Sequence, residues 1–325
     1  TASSANSDFS GGMSFQYLNM NFLHDRMTRS EIVPAAFARG NRGIEHTLGQ
    51  PKMSETRQVN VMVSGAVMEV VMARPPVNAI NLTLSRQMYD AFKRLNEDDS
   101  LRVGLLYSEG NAKNIFSAGW DLKAFAAGES QNDETGFDLG PGGLGGLPEY
   151  FGLYKPVVVA VAGGAIGGGF ELALGGDVIV CSEDAYFWLP EMQRGFLPDG
   201  GAIQKLHHRI PFNVTMELIL TGRKMFADEA KHWGLVRDVV AADQLLEHAR
   251  TVAAIIAQGA PLVAVALKEY MRRYAQVSVE EAHAAVRRAW VGRSDMPHYE
   301  QMIRSDDFRE GSVAFAEKRD PAFKG

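Results

Sequence analysis

Two glutamates stand in apolar surroundings, at a spacing that could bring them to one site. Glu171 lies in the stretch Gly-Gly-Gly-Phe-Glu-Leu-Ala-Leu over residues 167–174, and Glu191 ends Phe-Trp-Leu-Pro-Glu over residues 187–191. A carboxylate is costly in such surroundings unless it is paired or protonated. Two carboxyl groups in a dry pocket can divide acid and base work between them. Each glutamate taken alone could instead be a solvated surface residue.

The glycines before Glu171 supply candidate hydrogen-bond donors. Residues 167–169 are all glycine, which lets backbone N–H groups approach a ligand closely at a helix start, although close packing of strand on helix is the alternative. Gly168 and Glu171 are three residues apart and therefore share one face of a helix. Earlier in the chain, Gly119 permits an unusual backbone angle, so the N–H of Trp120 could join that of Gly168. Two such donors would stabilise an oxyanion that develops on a carbonyl compound.

Apolar runs predict the elements that position these residues. The runs at 59–63, 67–72, 103–107, 157–162 and 177–181 predict strands, whereas the spacing of Leu84, Met88, Phe92 and Leu95 predicts a helix. Strands that alternate with helices indicate right-handed βαβ crossovers and an α/β fold. In such sheets ligands bind beyond the carboxyl ends of the strands, where Glu171 and Glu191 could meet.

The rest of the chain is predicted from the same patterns. Helices are expected at 203–209, 214–220, 227–233, 245–257, 262–274 and 279–291, with a short strand at 235–240. Ser278 followed by Glu280 and Glu281 indicates a capping box at the start of the last helix. The glycine-rich residues 136–146 predict a mobile loop or lid.

Composition excludes several classes of protein. The 325 residues carry a net charge of −6, which argues against a nucleic-acid partner. The apolar runs are much shorter than a membrane span. Cys181 is the one cysteine and cannot form an internal disulfide, so we expect a cytoplasmic location. The adjacent His207 and His208 face different directions on a helix, so we expect no metal site.

Five segments, in this order and at this spacing, resemble the crotonase (enoyl-CoA hydratase/isomerase) superfamily. They are residues 116–122, 167–174, 189–191, 195–201 and 221–223, and the resemblance covers about residues 57–325. It implies a spiral of ββα units with a C-terminal helical trimerisation region, and a homotrimer or a dimer of trimers. We therefore expect an N-terminal extension at 1–52, a core with the coenzyme A ester site at 53–258 and a helical oligomerisation region at 259–325.

The resemblance also implies site residues for a coenzyme A thioester. The N–H groups of Trp120 and Gly168 would form the oxyanion hole. Coenzyme A is part of the substrate, and no cofactor is expected. The residues expected to contact coenzyme A are Ala118, Asp121, Leu122 and Lys123. Arg74, Lys318 and Phe323 are weaker candidates for contact with its phosphates or adenine, and these contacts could come from a neighbouring subunit. The residues expected in the acyl pocket are Trp120, Trp188 and Pro198.

The reaction implied is reversible addition of water across the double bond of an enoyl-CoA. Glu171 would activate the water that attacks the β-carbon, and Glu191 would exchange the proton at the α-carbon. Residues 117–123, 140–143, 168–174 and 315–321 are similar to members that hydrate crotonobetainyl-CoA to carnitinyl-CoA. Trp120 and Trp188 would then be cation–π partners of the quaternary ammonium. The alternatives are a generic short-chain enoyl-CoA hydratase, an enoyl-CoA isomerase and a non-catalytic RNA-binding relative.

Overall fold

The computed structural model of the chain describes residues 56–109, 114–129, 131–132 and 136–325. The extension predicted at residues 1–52 lies outside these residues. The strands are β1 (Val59–Ser64), β2 (Val67–Met72), β3 (Val103–Ser108), β4 (Ile115–Ser117), β5 (Gln131–Asn132), β6 (Gly136–Phe137), β7 (Val157–Val161), β8 (Gly164–Ile166), β9 (Val178–Ser182), β10 (Tyr186–Trp188), β11 (Lys224–Phe226) and β12 (Asp238–Val240). The α-helices are α1 (Leu82–Glu97), α2 (Leu122–Ala126), α3 (Gly168–Ala173), α4 (Ala202–Lys205), α5 (Phe212–Thr221), α6 (Ala227–His232), α7 (Leu245–Gln258), α8 (Pro261–Tyr274), α9 (Val279–Trp290), α10 (Pro297–Arg304) and α11 (Asp306–Glu317).

Two sheets share the strands in a regular alternation. The larger sheet has the order β1-β2-β3-β7-β9-β12 and is parallel except for the β1–β2 pair. The smaller sheet has the order β11-β10-β8-β4, with β10, β8 and β4 parallel. Successive units β3-β4-α2, β7-β8-α3 and β9-β10-α4 each give one strand to each sheet and then a helix. These are the ββα units that the sequence resemblance implies.

The inner strands of the larger sheet are buried on both faces, which explains why they are apolar. All five residues of β7 are buried. Val157 and Val159 belong to the core that includes α1, whereas Val158 belongs to the core under α7. This alternation follows from the two-residue period of a strand. The sheet therefore presents the carboxyl ends of its strands as a rigid edge for the loops that follow.

Most predicted elements are confirmed to within one or two residues, and three are corrected. The segment 203–209 contains only the short helix α4 and a 3₁₀ turn at Leu206–His208. The strand predicted at 235–240 begins at Asp238. In the glycine-rich stretch, residues 136–137 lie in β6, and the 3₁₀ turn Leu144–Gly146 is buried against α1 instead of forming an open lid.

Beyond α7 the chain is helical, as the sequence predicts. The side chain of Ser278 accepts a hydrogen bond from the N–H of Glu281 at 3.2 Å, which confirms that cap on α9. In the described part of the chain, no single helix is long and apolar enough to cross a membrane. The pair α7 and α8, bent by 99° at their junction, passes that test together by length and composition only.

Candidate active site

The turn between β8 and α3 brings the two glutamates together. Gly167 has a φ of 52°, and its N–H donates to the carbonyl of Trp188 at 2.7 Å. Its carbonyl accepts from the N–H of Glu171 at 3.1 Å, which closes the first turn of α3. A Cβ at position 167 would lie 2.5 Å from Oε1 of Glu191. The glycine is therefore required both by the backbone angle and by the carboxyl group that lies against it.

The loop after β4 places a second backbone N–H beside that turn. Gly119 has a φ of 80°, and a Cβ there would lie 2.8 Å from the nitrogen of Gly168. In turn, a Cβ at Gly168 would lie 3.3 Å from the nitrogen of Trp120. As the first residue of α3, Gly168 carries an N–H with no carbonyl acceptor inside its own helix. The backbone nitrogen atoms of Trp120 and Gly168 thus lie close together, which is the arrangement that the sequence predicts for these two donors.

A buried polar pair that the sequence reasoning missed supports this loop. The Ser117 hydroxyl donates to the carbonyl of Asn78 at 2.7 Å and accepts from the N–H of Gly119 at 3.1 Å. The side chain of Asn78 accepts from the N–H of Arg74 at 2.8 Å. Both Ser117 and Asn78 are fully buried. The one sequence signal was the polar Ser117 next to the apolar Phe116, and it does not reveal the partner.

Both glutamates line one cavity of about 530 Å³. Trp120 and Gly168 line the same cavity, and so do the apolar side chains of Leu144, Phe196 and Leu197. The cavity therefore combines two backbone nitrogen atoms, two carboxyl groups and an apolar wall. This combination suits a carbonyl compound whose neighbouring carbon atoms exchange protons or water.

Glu171 is the more deeply buried of the two glutamates. Its side chain is 3% exposed, and its Oε1 accepts from the N–H of Ala202 at 3.1 Å. Burial raises the pKa of Glu171 to about 8, against the opposing effect of that hydrogen bond. The nearby charges of Glu191 and Asp199 raise it further. This carboxyl is therefore largely protonated at neutral pH.

Glu191 is held at the start of the 3₁₀ turn Glu191–Arg194. Its Oε2 is buried, and no residue that the structure describes hydrogen-bonds to it. Burial raises the pKa of Glu191, whereas the charge of Arg194 lowers it. Two interacting carboxyls with raised pKa values retain a proton between them, so one can act as acid while the other acts as base.

The residues predicted to contact coenzyme A divide into two groups. Ala118 and Leu122 line the cavity. Asp121 caps α2 and accepts from Nη2 of Arg74 at 2.7 Å. Arg74 also donates to the carbonyl of Ala79 at 2.9 Å, so it braces this loop. Lys123 is exposed on α2, one residue from Leu122.

Four further predicted residues do not line this cavity in the described chain. Trp188 is absent from the lining, and its Nε1 donates to the carbonyl of Gly222 at 2.7 Å. Pro198 is buried but does not line the cavity either. Lys318 ends α11, and the carbonyl of Phe323 accepts from Arg102 at 2.7 Å. Neither lines this cavity within the described chain, and their contact with coenzyme A across a subunit boundary stays a prediction.

Comparisons with known proteins agree with this geometry. The profile of the enoyl-CoA hydratase/isomerase family matches residues 63–325. Carnitinyl-CoA dehydratase of Proteus mirabilis is 42% identical over 270 residues, which cover 83% of this chain and 99% of that protein. Carnitinyl-CoA dehydratase of Escherichia coli is 42% identical over 273 residues, which cover 84% of this chain and 100% of that protein.

A solved structure gives the same result for the fold. An enoyl-CoA hydratase of Mycobacterium marinum has a TM-score of 0.73 and 34% identity, over 82% of this chain and 99% of that one. The fold implied by the sequence resemblance is thereby confirmed. On the extent of these matches, the chain belongs to the enoyl-CoA hydratase/isomerase family.

Proposed function

We propose that the protein is a hydro-lyase that reversibly adds water to the double bond of an α,β-enoyl-CoA, with crotonobetainyl-CoA and carnitinyl-CoA as its substrate pair. The observation that carries the proposal is one cavity lined by Trp120, Gly168, Glu171 and Glu191. The similarity to carnitinyl-CoA dehydratases over nearly their whole length supports the choice of acyl group.

The thioester oxygen would bind at the backbone N–H groups of Trp120 and Gly168. These donors stabilise the enolate that develops as water adds to the β-carbon, and one such donor is typically worth about 10²–10³ in rate. No metal or other cofactor is proposed for this step, and coenzyme A enters as part of the substrate. Ala118 and Leu122 would contact the coenzyme A portion at the cavity wall.

The two carboxyl groups would move the protons. In hydration, Glu171 takes a proton from the water whose oxygen bonds to the β-carbon, and Glu191 gives its proton to the α-carbon. Dehydration runs the same transfers backwards. The raised pKa values support one shared proton. With that proton on Glu171 the pair is ready for dehydration, in which Glu171 protonates the leaving hydroxyl group and Glu191 takes the proton of the α-carbon; hydration starts with the proton on Glu191.

The experiment follows the loss of the enoyl thioester absorbance with crotonobetainyl-CoA and with crotonyl-CoA. Wild type should hydrate the crotonobetainyl ester faster. Glu171→Gln and Glu191→Gln should each lower kcat by about 10²–10⁴-fold, the usual range for a general acid or base, while binding of the ester is retained. Near-normal rates in both variants would contradict the proposed roles, and double-bond migration without water addition would favour an isomerase.

Assembly and location are also part of the proposal. The C-terminal helices expose large apolar side chains, of which Val279 and Phe315 are 75% and 87% exposed. Such exposure supports a homotrimer, or a dimer of trimers, that buries this region, because monomers rarely expose contiguous apolar patches. The buried Cys181 thiol, whose pKa is raised to about 12 by burial, supports a reducing, cytoplasmic location. Light scattering on the purified protein measures the number of subunits in the assembly.

A further inference from the structure

Two carboxyl groups besides the proposed acid and base line the cavity. Glu149 follows the turn Leu144–Gly146, and Asp199 follows the 3₁₀ turn that begins at Glu191. Neither has a part in the hydration steps above. Both residues are exposed.

The two carboxyl groups lie on the wall beyond the reacting position. A Cβ at Gly200, the residue after Asp199, would lie 3.0 Å from Oε2 of Glu171 and 3.4 Å from Cδ2 of Leu144. A Cβ at Gly143 would lie 2.5 Å from Oε1 of Glu149, so that carboxyl adjoins the backbone that carries Leu144. Asp199, next to Gly200, and Glu149, beside Gly143, therefore both lie near Leu144 and Glu171 at one end of the cavity. Ala118 and Leu122 belong to the loop and helix α2 on the coenzyme A side.

The charges along the wall are unbalanced. Among the described residues that line the cavity, four are acidic (Glu149, Glu171, Glu191 and Asp199), and the one basic residue is Arg194. The Arg194 side chain donates to the carbonyl of Pro190 at 3.2 Å, and its guanidinium lies 5.8 Å from the centre of the Trp188 ring. One proton shared by Glu171 and Glu191 reduces this excess of negative charge without removing it. A neutral acyl chain would leave the remainder uncompensated, whereas a cationic one would offset it.

The geometry points to Glu149 and Asp199 as the groups that bind the quaternary ammonium of the acyl chain and thereby decide the preference for a cationic substrate. This inference rests on the proposed function. A trimethylammonium group has no N–H to donate, so it is recognised by charge and by apolar contact. Its nitrogen is two bonds beyond the β-carbon, so a β-carbon held at Glu171 and Glu191 brings the cation next to Asp199.

The apolar part of the same wall fits the methyl groups. Leu144, Phe196 and Leu197 line the cavity together with the two acids. The rings of Phe196 and Trp120 meet edge to face, with centroids 6.3 Å apart. These residues replace Trp188, which the sequence suggested for this role but which lies outside the cavity. Charge from two carboxylates and contact from an apolar wall are the two features that such a cation requires.

The test compares two esters of equal shape in the full-length protein. One is crotonobetainyl-CoA, and the other is the neutral ester in which a tert-butyl group replaces the trimethylammonium group. We expect wild type to favour the cationic ester in kcat/KM. Glu149→Gln and Asp199→Asn should each reduce the cationic-to-neutral ratio of kcat/KM by roughly tenfold, the factor that about 1.4 kcal/mol of lost attraction gives. Glu97→Gln, on the exposed face of α1, should leave the ratio unchanged.

The ratio separates recognition of the cation from other effects. A change in folding, or in the proton affinity of Glu171, alters the rates with both esters and largely cancels in the ratio. Equal kcat/KM values for the two esters in wild type would overturn the inference while leaving the hydratase assignment intact. Equal losses with both esters in the variants would overturn it too. If wild type hydrated neither ester, the proposed function itself would fail, and with it this inference.

Discussion

The two ends of the segment from Gly167 to Asp177 both hold clusters of charged groups, but with opposite arrangements. At the first end, Glu171 and Glu191 face a cavity, and Oε2 of Glu191 has no hydrogen-bond partner among the described residues. At the other end, Asp177 accepts from the N–H of Val157 at 2.8 Å and from Nζ of Lys268 at 2.7 Å. The acidic end lines a cavity that a ligand can enter, whereas protein groups supply the hydrogen-bond partners at the basic end.

The basic end is a cluster of four cations around Asp177: Lys205, Arg209, Lys268 and Arg272. Burial lowers the pKa of all four, that of Lys205 to about 8. Backbone carbonyls receive their hydrogen bonds, since Lys205 donates to Pro148 at 2.6 Å and Arg272 donates to Phe151 at 2.6 Å. Arg209 donates to the carbonyls of Leu174 and Gly176 at the end of α3.

The comparison shows two uses of charged groups in this fold. Where each charge has carbonyl and carboxylate partners, it holds loops together, and its protonation has no part in the proposed reaction. Where a carboxyl lacks a partner, its proton is available for chemistry. The two ends are also connected, because the carbonyl that Lys205 binds belongs to Pro148, directly before Glu149. The basic cluster therefore anchors the segment that carries the proposed cation-binding acid.

The first prediction breaks the basic end. Asp177→Asn removes the negative charge that accepts from the N–H of Val157 and from Nζ of Lys268. Because the Asp177 side chain is 34% exposed, we expect the free energy of unfolding to fall by only about 1–2 kcal/mol. Urea denaturation measures this. Lys268→Met is the matched variant and should cost less, because Asp177 keeps the N–H of Val157 and an apolar chain replaces a buried cation.

The folded fraction of Asp177→Asn should hydrate the substrate at a rate close to wild type, since this residue does not line the cavity. A loss of rate that exceeds the loss of folded protein would contradict the separation of the two ends.

The next effect breaks the acidic end without removing an acid. In Gly168→Ala the new methyl group lies 3.3 Å from the nitrogen of Trp120 and collides with Cδ2 of Leu144. Because the methyl group covers the proposed position of the thioester oxygen, kcat should fall by about 10²–10³-fold. Stopped-flow turnover measures it. The double variant with Leu144→Ala relieves the collision alone, so recovery of the rate there would show that crowding, not the donors, was responsible.

A third prediction concerns how the stability of the acidic end depends on pH. The pKa of Glu171 is about 8 in the folded protein and near its ordinary value of 4.5 when unfolded. Burial of Glu171 therefore costs wild type no stability below pH 4.5. The free energy of unfolding falls as the pH rises from 4.5 through 8 and levels off above that. Glu171→Gln does not titrate, so its stability relative to wild type should rise across this window by a few kcal/mol, at about 1.4 kcal/mol for each tenfold change in proton affinity. Denaturation at several pH values tests the sign, and a difference that stays flat with pH would contradict the raised pKa.

The smallest effect concerns Trp188. Trp188→Phe loses one hydrogen bond to the carbonyl of Gly222, which should cost about 1 kcal/mol of stability. The cationic-to-neutral ratio of kcat/KM should stay within about twofold of wild type, because the indole lies outside the cavity. A fall in that ratio like the one expected for Asp199→Asn would return Trp188 to the acyl pocket.

Much of the scaffold was predictable, because local patterns carry it. The apolar strands of the larger sheet and the helix α1 follow from periodicity, and burial on both faces explains why β7 reads as continuous valine and alanine. The turn 144–146 was misjudged, because glycine content signals a free loop and cannot reveal that α1 covers this one. The helix predicted at 203–209 is too long for a similar reason, since the apolar residues that continue past the end of α4 lie in a 3₁₀ turn.

The residues proposed for the reaction are recognisable in the chain alone: glycines at 119 and 167–168, where close backbone approach admits no side chain, and glutamates whose apolar neighbours predict burial. The side chains that surround them follow from the folded arrangement alone. Tyr186 and Trp188 share one face of β10, where Lys224 lies over both rings, while Phe187 faces the core. That two-residue alternation takes Trp188 away from the cavity, and the packing of Leu144 and Gly200 beside Glu171 brings Glu149 and Asp199 to it, because contacts between distant segments have no local signal in the chain.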